Sequence, residues 1–414
     1  MMRQRVLLVL GVVAVLAVAV VMMRTTPGAS EADRRDDTGL RTAWGDPDLQ
    51  GLWTDEYQIP LQRPAKFAGR ETLTDEEMRQ LDEERSGKPT FGSKRAEKGS
   101  EKDVAGAYNS DIFLTHRHTG RRTSLIVDPP DGRIPPFTPE KLKENEVLRE
   151  FYLGTVAASV TCKEKARGCE GGTYTPPSAA AVEKRNRPHP YYPAGNGYPT
   201  ASGGGYINRS DGPEDRGLSE RCLGAVLPDF GGSTGNVRAV VQTPGTLAMF
   251  YDTGQGQGWH RVIPIGDTPH PPATVRLWWG DSRGRWEGDA LLVDVTNFSP
   301  RTNFRGSREN LHLRERWVRK DEKTLEYTVT VEDPTTWTKP WTVRQEYALQ
   351  SAEHNRVYKE PRCHEGNFGM IGMLGGERRI ERAFAQGQGP NPITINSVVP
   401  TNSALSDEEL DDLQ

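Results

Sequence analysis

Apolar and polar residues alternate with a period of two through most of the chain between residues 236 and 350. Eight β-rich runs follow one another there, separated by turns that contain Gly, Pro or Asp. Serial strands with short connections are typical of an antiparallel meander, which closes as a barrel or packs as a sandwich. The predicted strands are Val237–Thr243, Leu247–Thr253, Trp259–Ile265, Val275–Trp279, Ala290–Phe298, Leu311–Arg319, Thr324–Asp333 and Trp341–Leu349.

Outside the meander, the sequence predicts a few short helices and long wrapping loops. A capping box at Thr74 and Glu77 starts a helix that ends near Gly87. Thr138 followed by Pro139 starts a second helix. The remaining predicted elements are a turn and first strand in Asp46–Thr54, a short strand at Ser124–Val127, a loop over 170–235 and a helix around Glu377–Phe384. The fold class is therefore mainly β, with the N-terminal third wrapped around the sheet.

The N-terminus predicts export from the cytoplasm. Arg3 and Arg5 precede the apolar run Val6–Met23, whose 18 residues would span about 27 Å as a helix. The positive flank stays cytoplasmic, so the rest of the chain is exported. The run is longer than the apolar region of a typical signal peptide, which favours an uncleaved single-pass anchor in the cell membrane over secretion after signal cleavage.

Four segments follow from this pattern. They are an anchor or signal at 1–24, a flexible tether at 25–43, one extracytoplasmic β-rich domain at 44–390 and an acidic tail at 391–414.

Composition excludes several protein classes. A chain with 43 Gly and 30 Pro is not a coiled coil, since both residues break helices. A hydrophobic fraction of 35% and a single long apolar run exclude a polytopic membrane protein. The net charge of −4 gives no bulk attraction to nucleic acid. The expected partners are a small molecule, and the membrane through the N-terminal helix.

The four cysteines agree with an oxidising compartment. An even count outside the cytoplasm predicts two disulfides, for which three connectivities exist. Cys162 and Cys169 are close in sequence, so we expect them to pair, which leaves Cys222 to pair with Cys363. A zinc site is the weaker interpretation, because no Cys-x-x-Cys occurs and the histidines are scattered. No metal and no cofactor is predicted.

Three polar residues fall on the apolar faces of the predicted strands: Glu315, Asp333 and Gln345. A buried carboxylate is costly unless it is paired. These residues therefore either bind backbone or arginine partners, or line a cavity. Asp333 lies at a strand end before a proline, where an Asx-type turn is common. The aromatic residues on the same faces, which could hold an apolar substrate, are Trp317, Trp341 and Tyr347.

The densest polar cluster is Cys363–Asn367, with the sequence CHEGN. His364 titrates near neutral pH, and the adjacent Glu365 could orient or tune its partners. If the protein is an enzyme, we expect these two residues to act as an acid–base pair. Glu315 and Asp333 are further candidate carboxylates, and Gln345 and His260 could contact the substrate. A structural turn at Gly366 is the alternative interpretation.

Two other motifs are rejected or weak. Gly280–Gly284 matches Gly-x-Ser-x-Gly, but a strand-like segment follows it where a nucleophile elbow needs a helix. We therefore interpret it as a hairpin loop. His116 and His118 lack a third metal ligand.

The chain resembles a family of uncharacterised exported bacterial proteins, over most of residues 44 to 370. The stretches that carry the resemblance are DPDLQGLWT at 46–54, VDPPDGRIPP at 127–136, SERCL at 219–223, GDSRGRWEGDALLV at 280–293, Asn297 with Phe298, DPTTW at 333–337, Pro340 with Trp341, and CHEGN at 363–367. The resemblance implies export and brings no activity. Separately, Gly51-Leu52-Trp53 ahead of a meander is similar to the Gly-x-Trp opening of lipocalins.

Two functions remain open on the sequence. The first is an aromatic pocket that acts on a small, partly apolar molecule by acid–base chemistry, as an isomerase, lyase or hydrolase. The second is a non-catalytic small-molecule binding protein or a structural protein of the envelope.

Overall fold

The computed structural model describes residues 40–55, 57–86, 118–147, 212–213, 221, 226–230, 237–254, 257–350 and 368–389. The strands are β1 (Gly51–Thr54), β2 (Tyr57–Gln58), β3 (His118–Thr119), β4 (Ile126–Asp128), β5 (Val237–Thr243), β6 (Thr246–Gly254), β7 (Gln257–Pro264), β8 (Asp281–Glu287), β9 (Ala290–Thr296), β10 (His312–Arg319), β11 (Thr324–Glu332) and β12 (Trp341–Leu349). The helices are α1 (Asp75–Ser86), α2 (139–147) and α3 (Phe368–Ala385).

Ten of these strands form one sheet that nearly closes into an antiparallel barrel. Its order is β7-β6-β5-β1-β12-β11-β10-β9-β8, and β4 pairs with β12 beside β1. The two end strands meet through an isolated parallel bridge between Ile265 and Gly284. The mainly β fold class predicted from the alternation pattern is thus confirmed.

Every second side chain of a strand points into the barrel. On β11 the buried positions are Leu325, Tyr327, Val329 and Val331, and the residues between them are only partly buried. Successive side chains in a strand point to opposite faces, so each strand contributes one row of large apolar groups to the core. The interior also includes buried polar residues, which form the candidate site.

The N-terminal region does more than wrap around the sheet. β1 lies inside it, pairing with β5 through Leu52 and Ala239 and with β12 through Trp53 and Leu349. Trp53 is fully buried, and its indole N–H donates to the carbonyl of Leu49 at 2.9 Å. The segment predicted as a turn and first strand therefore joins β5 to β12 within the sheet.

Two local predictions were wrong. The predicted strand Val275–Trp279 is part of the loop between β7 and β8, where Leu277 makes only an isolated bridge to Phe298. The predicted hairpin loop at Gly280–Gly284 lies mostly in strand β8. The inward positions of β8 include Ser282 and Gly284, so the apolar alternation that reveals a strand is absent there.

The predicted starts of the first two helices were confirmed. The backbone N–H of Thr74 donates to Glu77 Oε2 at 2.8 Å, and the backbone N–H of Glu77 donates to Thr74 Oγ1 at 3.2 Å. This is the reciprocal capping box at the start of α1. Thr138 caps α2 by accepting from the backbone N–H of Lys141 at 3.2 Å. The third helix is longer than predicted and begins at Phe368.

Several predictions concern residues outside the described ranges. These are the anchor Val6–Met23, the four cysteines, the acid–base pair His364 and Glu365, and the acidic tail. Among the helices that the structure describes, none is long and apolar enough to cross a membrane.

Candidate binding site in the barrel interior

A buried ion pair crosses the barrel. Nη1 of Arg261 on β7 lies 2.9 Å from Oε2 and 3.1 Å from Oε1 of Glu315 on β10. The side chains are 3% and 0% exposed, so the two charges are removed from water together. Burial alone would lower the pKa of Arg261, but Glu315 together with Tyr251 and Tyr327 outweighs burial and raises this pKa. Arg261 therefore stays positively charged inside the barrel.

Aromatic and hydroxyl groups complete this pair. The indole N–H of Trp317 donates to Glu315 Oε2 at 3.2 Å, and the hydroxyl of Tyr327 donates to Oε1 at 3.2 Å. Arg261 donates from Nε to Ser282 Oγ at 2.9 Å and from Nη1 to the Tyr251 hydroxyl at 3.3 Å. Glu315 thus accepts from three different side chains, as a buried carboxylate requires.

A stack of aromatic rings adjoins the ion pair. The ring of Trp259 lies 4.0 Å from that of Tyr251, with 3° between the planes, and 4.6 Å from that of Trp279. Tyr251 and Trp259 are buried, whereas Trp279 in the β7–β8 loop is only partly buried. The stack therefore leads from the interior to the surface of the barrel.

A second arginine occupies the interior on β5. The guanidinium of Arg238 lies 4.4 Å from the ring centroid of Tyr347 and 5.0 Å from that of Tyr251. Its Nη2 donates to the carbonyl of Asp229 at 2.5 Å, and the carboxylate of Asp229 is 3.8 Å away. Burial raises the pKa of the Tyr347 and Tyr251 hydroxyls, so both remain neutral donors.

Two inward-facing donors on β7 lack acceptors. Within the part of the chain that the structure describes, Nη2 of Arg261 and Nε1 of Trp259 are buried and have no hydrogen-bond partner. The two residues are two positions apart on one strand, so their side chains lie on the same face, about 7 Å apart at the backbone. Buried polar groups are nearly always hydrogen-bonded, so these two donors on one face of β7 leave hydrogen-bonding capacity unused. The indole N–H groups of Trp337 and Trp341 are also buried and unpaired among the described residues.

Most of the predicted interior residues do point into the barrel. Glu315, Trp317, Trp341, Gln345 and Tyr347 are all buried on the inner faces of β10 and β12. Gln345 accepts from the Tyr347 hydroxyl at 2.9 Å, and its Nε2 lies 3.4 Å from the carboxylate of Asp55. The inward direction expected of these side chains is therefore correct.

Two candidates lie elsewhere. His260 points to the outer face of β7, where it is exposed and packs beside Phe250 with ring centroids 5.0 Å apart. The reason is the strand alternation, which places Trp259 and Arg261 inside. His260 therefore does not share a cavity with Glu315.

Asp333 lies past the end of β11 in a turn. One carboxylate oxygen accepts from the backbone N–H of Thr335 at 2.9 Å, and the other accepts from the hydroxyls of Ser307 and Thr336 at 2.6 and 2.7 Å. This is the Asx-type turn that the sequence offered as an alternative. Since all of these contacts are structural, the position gives no support to Asp333 as a catalytic acid.

The basic half of the site was not predicted from the sequence. Arg238, Tyr251, Trp259, Arg261 and Ser282 were not candidates. Alternation along β7 could have revealed two of them, since Trp259, Arg261 and Ile263 share one face of that strand. An arginine between two large apolar residues on a buried face requires a buried acceptor, which Glu315 supplies.

Comparisons with known proteins identify no family and no function for the chain. No protein-family model matches the chain, and no curated protein matches it. Among solved structures, a mutant of the fluorescent protein UnaG is similar, with a TM-score of 0.20 and 15% identity over 32% of this chain and 86% of that chain. The resemblance to an exported bacterial family stays a prediction.

Proposed function

We propose that the barrel interior binds a small, partly apolar molecule that carries an uncharged hydrogen-bond acceptor, such as a ketone, ester or amide carbonyl. The observation that carries the proposal is the pair of unsatisfied donors, Arg261 Nη2 and Trp259 Nε1. An acceptor within hydrogen-bonding distance of either donor would satisfy that group. Because an unpaired buried donor costs about 1–3 kcal/mol, such a ligand would recover a substantial free energy.

The charges of the interior favour a neutral acceptor over an anion. Glu315 already balances Arg261, and Asp229 lies near Arg238. A ligand carboxylate on Nη2 would place a second negative charge close to Glu315. Like charges in a poorly solvated interior repel strongly, so an anionic ligand would gain less.

The aromatic stack suits the apolar part of the ligand. Trp259 lies between Tyr251 and Trp279, so an aromatic ring of a ligand would either extend the stack beyond Trp279 or take the place of that ring. Stacked aromatic pairs contribute about 0.5–1.5 kcal/mol beyond area burial. A flat aromatic carbonyl compound combines both features.

A matched pair of probes tests this proposal by titration of the tryptophan fluorescence. We expect 2-acetylnaphthalene to bind at least about tenfold more tightly than 2-naphthoate, because only the ketone avoids repulsion by Glu315. Trp259→Phe keeps the ring and removes the N–H, so it should weaken binding of the ketone about fivefold or more. Trp44→Phe, at an exposed indole, is the matched control and should bind like the wild type. If neither probe binds, the proposal is contradicted.

Acid–base conversion of the bound molecule stays a prediction that depends on His364 and Glu365. We assign Glu315 to holding Arg261 in place, since both of its oxygens are occupied by donors. If the protein turns over a ligand, His364→Ala should reduce turnover about 100-fold or more and leave ligand affinity unchanged. Unchanged turnover in this variant would remove His364 from the mechanism.

A further inference from the structure

The barrel has a seam where its two end strands meet. β6 and β7 pair along their length, as do β8 and β9. Between β7 and β8, the structure describes one isolated bridge, at Ile265 and Gly284, where the N–H of Gly266 donates to the carbonyl of Gly284 at 2.8 Å. A Cβ at Gly284 would lie 3.0 Å from Ile263 Cγ2, so a larger residue here would force the side chain of Ile263 to shift.

A side-chain hydrogen bond crosses the seam on the inside of the barrel. Arg261 on β7 donates to Ser282 on β8 at 2.9 Å and to Glu315 further around the barrel. The unsatisfied donors Arg261 Nη2 and Trp259 Nε1 belong to the same strand. Separation of β7 from β8 would therefore open the wall directly beside the proposed binding site.

A second set of side-chain contacts holds the seam on the outer face. His270, in the β7–β8 loop, has Nδ1 2.6 Å from Asp281 Oδ2 on β8 and Nε2 2.9 Å from Asp294 Oδ2 on β9. The other oxygen of Asp294 lies 2.7 Å from Nε2 of His312, whose Nδ1 is 3.2 Å from Glu332 Oε2. We call the five residues His270, Asp281, Asp294, His312 and Glu332 the histidine clamp.

The chemistry of imidazole makes this clamp sensitive to protonation. Each imidazole has a carboxylate oxygen at both nitrogens, and only the imidazolium donates from both. A neutral ring turns a lone pair towards one carboxylate and loses that bond. The other charged groups that face the clamp are Arg283, which binds Asp281, and Arg314, which binds Glu332.

The charged groups around His312 also favour its protonated form. The hydrogen bond to Asp294 raises the pKa of His312, and the hydrogen bond from His312 lowers the pKa of Asp294. When both imidazoles are neutral, the three carboxylates of the clamp together with Arg283 and Arg314 carry a net charge of −1. Protonation of one imidazole therefore neutralises it.

We propose that the β7–β8 seam is a lateral portal to the barrel interior, and that the protonated histidine clamp holds it shut. The role as a portal rests on the proposed binding function, whereas the pH-dependent opening of the seam does not. Loss of protons from the clamp releases the β7–β8 loop from β8 and β9, and the seam then opens more often.

Hydrogen exchange of the full chain, followed by mass spectrometry and corrected for intrinsic pH dependence, tests the opening. Between about pH 5.5 and pH 8.5, we expect the protection of β8 to fall about fivefold relative to β11. His270→Gln should show the low value at both pH values. His260→Gln, at an exposed imidazole of the adjoining strand, should behave as the wild type. If the protection of β8 in the wild type does not change with pH, the proposal is overturned. An unchanged pH response in His270→Gln would also overturn it.

Ligand entry distinguishes the portal from the binding function itself. In stopped-flow mixing with 2-acetylnaphthalene, the association rate should rise with pH in the wild type and stay constant in His270→Gln. Binding with a pH-independent association rate would refute the portal and leave the proposed function intact. Absence of binding would refute the proposed function and leave the exchange result as the evidence on the seam.

Discussion

Arg261 and Glu315 join two strands that are not neighbours in the sheet. Arg261 belongs to β7 at one end of the strand order and Glu315 to β10, with β8 and β9 between them around the wall. Their ion pair, with Nη1 2.9 Å from Oε2, therefore spans the seam of the barrel. The same pair presents the free Nη2 donor to the interior, so one contact serves both closure of the fold and the proposed binding site.

Removal of one partner of this pair should be strongly destabilising. Glu315→Gln leaves the buried guanidinium without a counter-charge, and we expect the free energy of unfolding to fall by about 3–5 kcal/mol. Urea denaturation followed by tryptophan fluorescence measures this change. A loss below about 1 kcal/mol would contradict the assignment of a buried, charged pair.

The double variant Arg261→Met with Glu315→Leu is the control for folding. Replacement of a buried ion pair by apolar residues of similar volume is often neutral or stabilising by about 1–4 kcal/mol. We therefore expect this variant to recover most of the stability that Glu315→Gln loses. It should still bind 2-acetylnaphthalene at least about fivefold more weakly than the wild type, because the Nη2 donor is gone.

Asp333 should matter for stability and not for ligand binding. Asp333→Ala removes the acceptor for the backbone N–H of Thr335 and for the hydroxyls of Ser307 and Thr336. We expect a loss of about 2–4 kcal/mol in the free energy of unfolding, with ligand affinity unchanged in the folded protein. If the Asp333→Ala variant is fully folded and still binds the ligand more weakly, Asp333 is a site residue and this prediction is wrong.

The stability should also depend on pH through His312. Its pKa is raised in the folded state by the hydrogen bond to Asp294. The stabilisation is therefore complete below the unfolded pKa of about 6.5 and is lost as the pH rises through the higher folded pKa. The difference in unfolding free energy between the wild type and His312→Gln should be largest near pH 6 and shrink towards pH 9. A difference that grows with pH would contradict this sign.

The disulfides can be tested by non-reducing peptide mapping. We expect one peptide pair joined through Cys162 and Cys169 and another through Cys222 and Cys363, each contributing about 2–4 kcal/mol. Reduction should therefore lower the melting temperature. Free thiols or crossed pairs would refute the predicted connectivity.

Alternation along the strands allowed much of the barrel to be predicted. In β11 every second residue is large and apolar, and in β12 only Gln345 departs from that pattern. The observed strands begin at Thr324 and Trp341 as predicted. The same alternation placed Glu315 and Gln345 inside. These predictions succeeded because one face of each strand is buried and the other is at least partly wet.

Other features depend on contacts that a single strand does not reveal. β8 was missed because its inward positions include Ser282 and Gly284, which the sequence pattern cannot distinguish from a turn. Ser282 is inside because Arg261 needs an acceptor, and Gly284 because β7 approaches closely. The histidine clamp joins His270 to Asp294, 24 residues apart, and arises only when the loop folds back over the sheet.

Intermolecular nuclear Overhauser effects with bound 2-acetylnaphthalene test the central claim most directly. The proposed binding predicts contacts from the naphthalene ring to the side chains of Trp259 and Tyr251, and from the acetyl methyl group to Arg261. Contacts confined to outer-face residues such as His260 and Val262, or the absence of any contact with Trp259, would contradict binding inside the barrel.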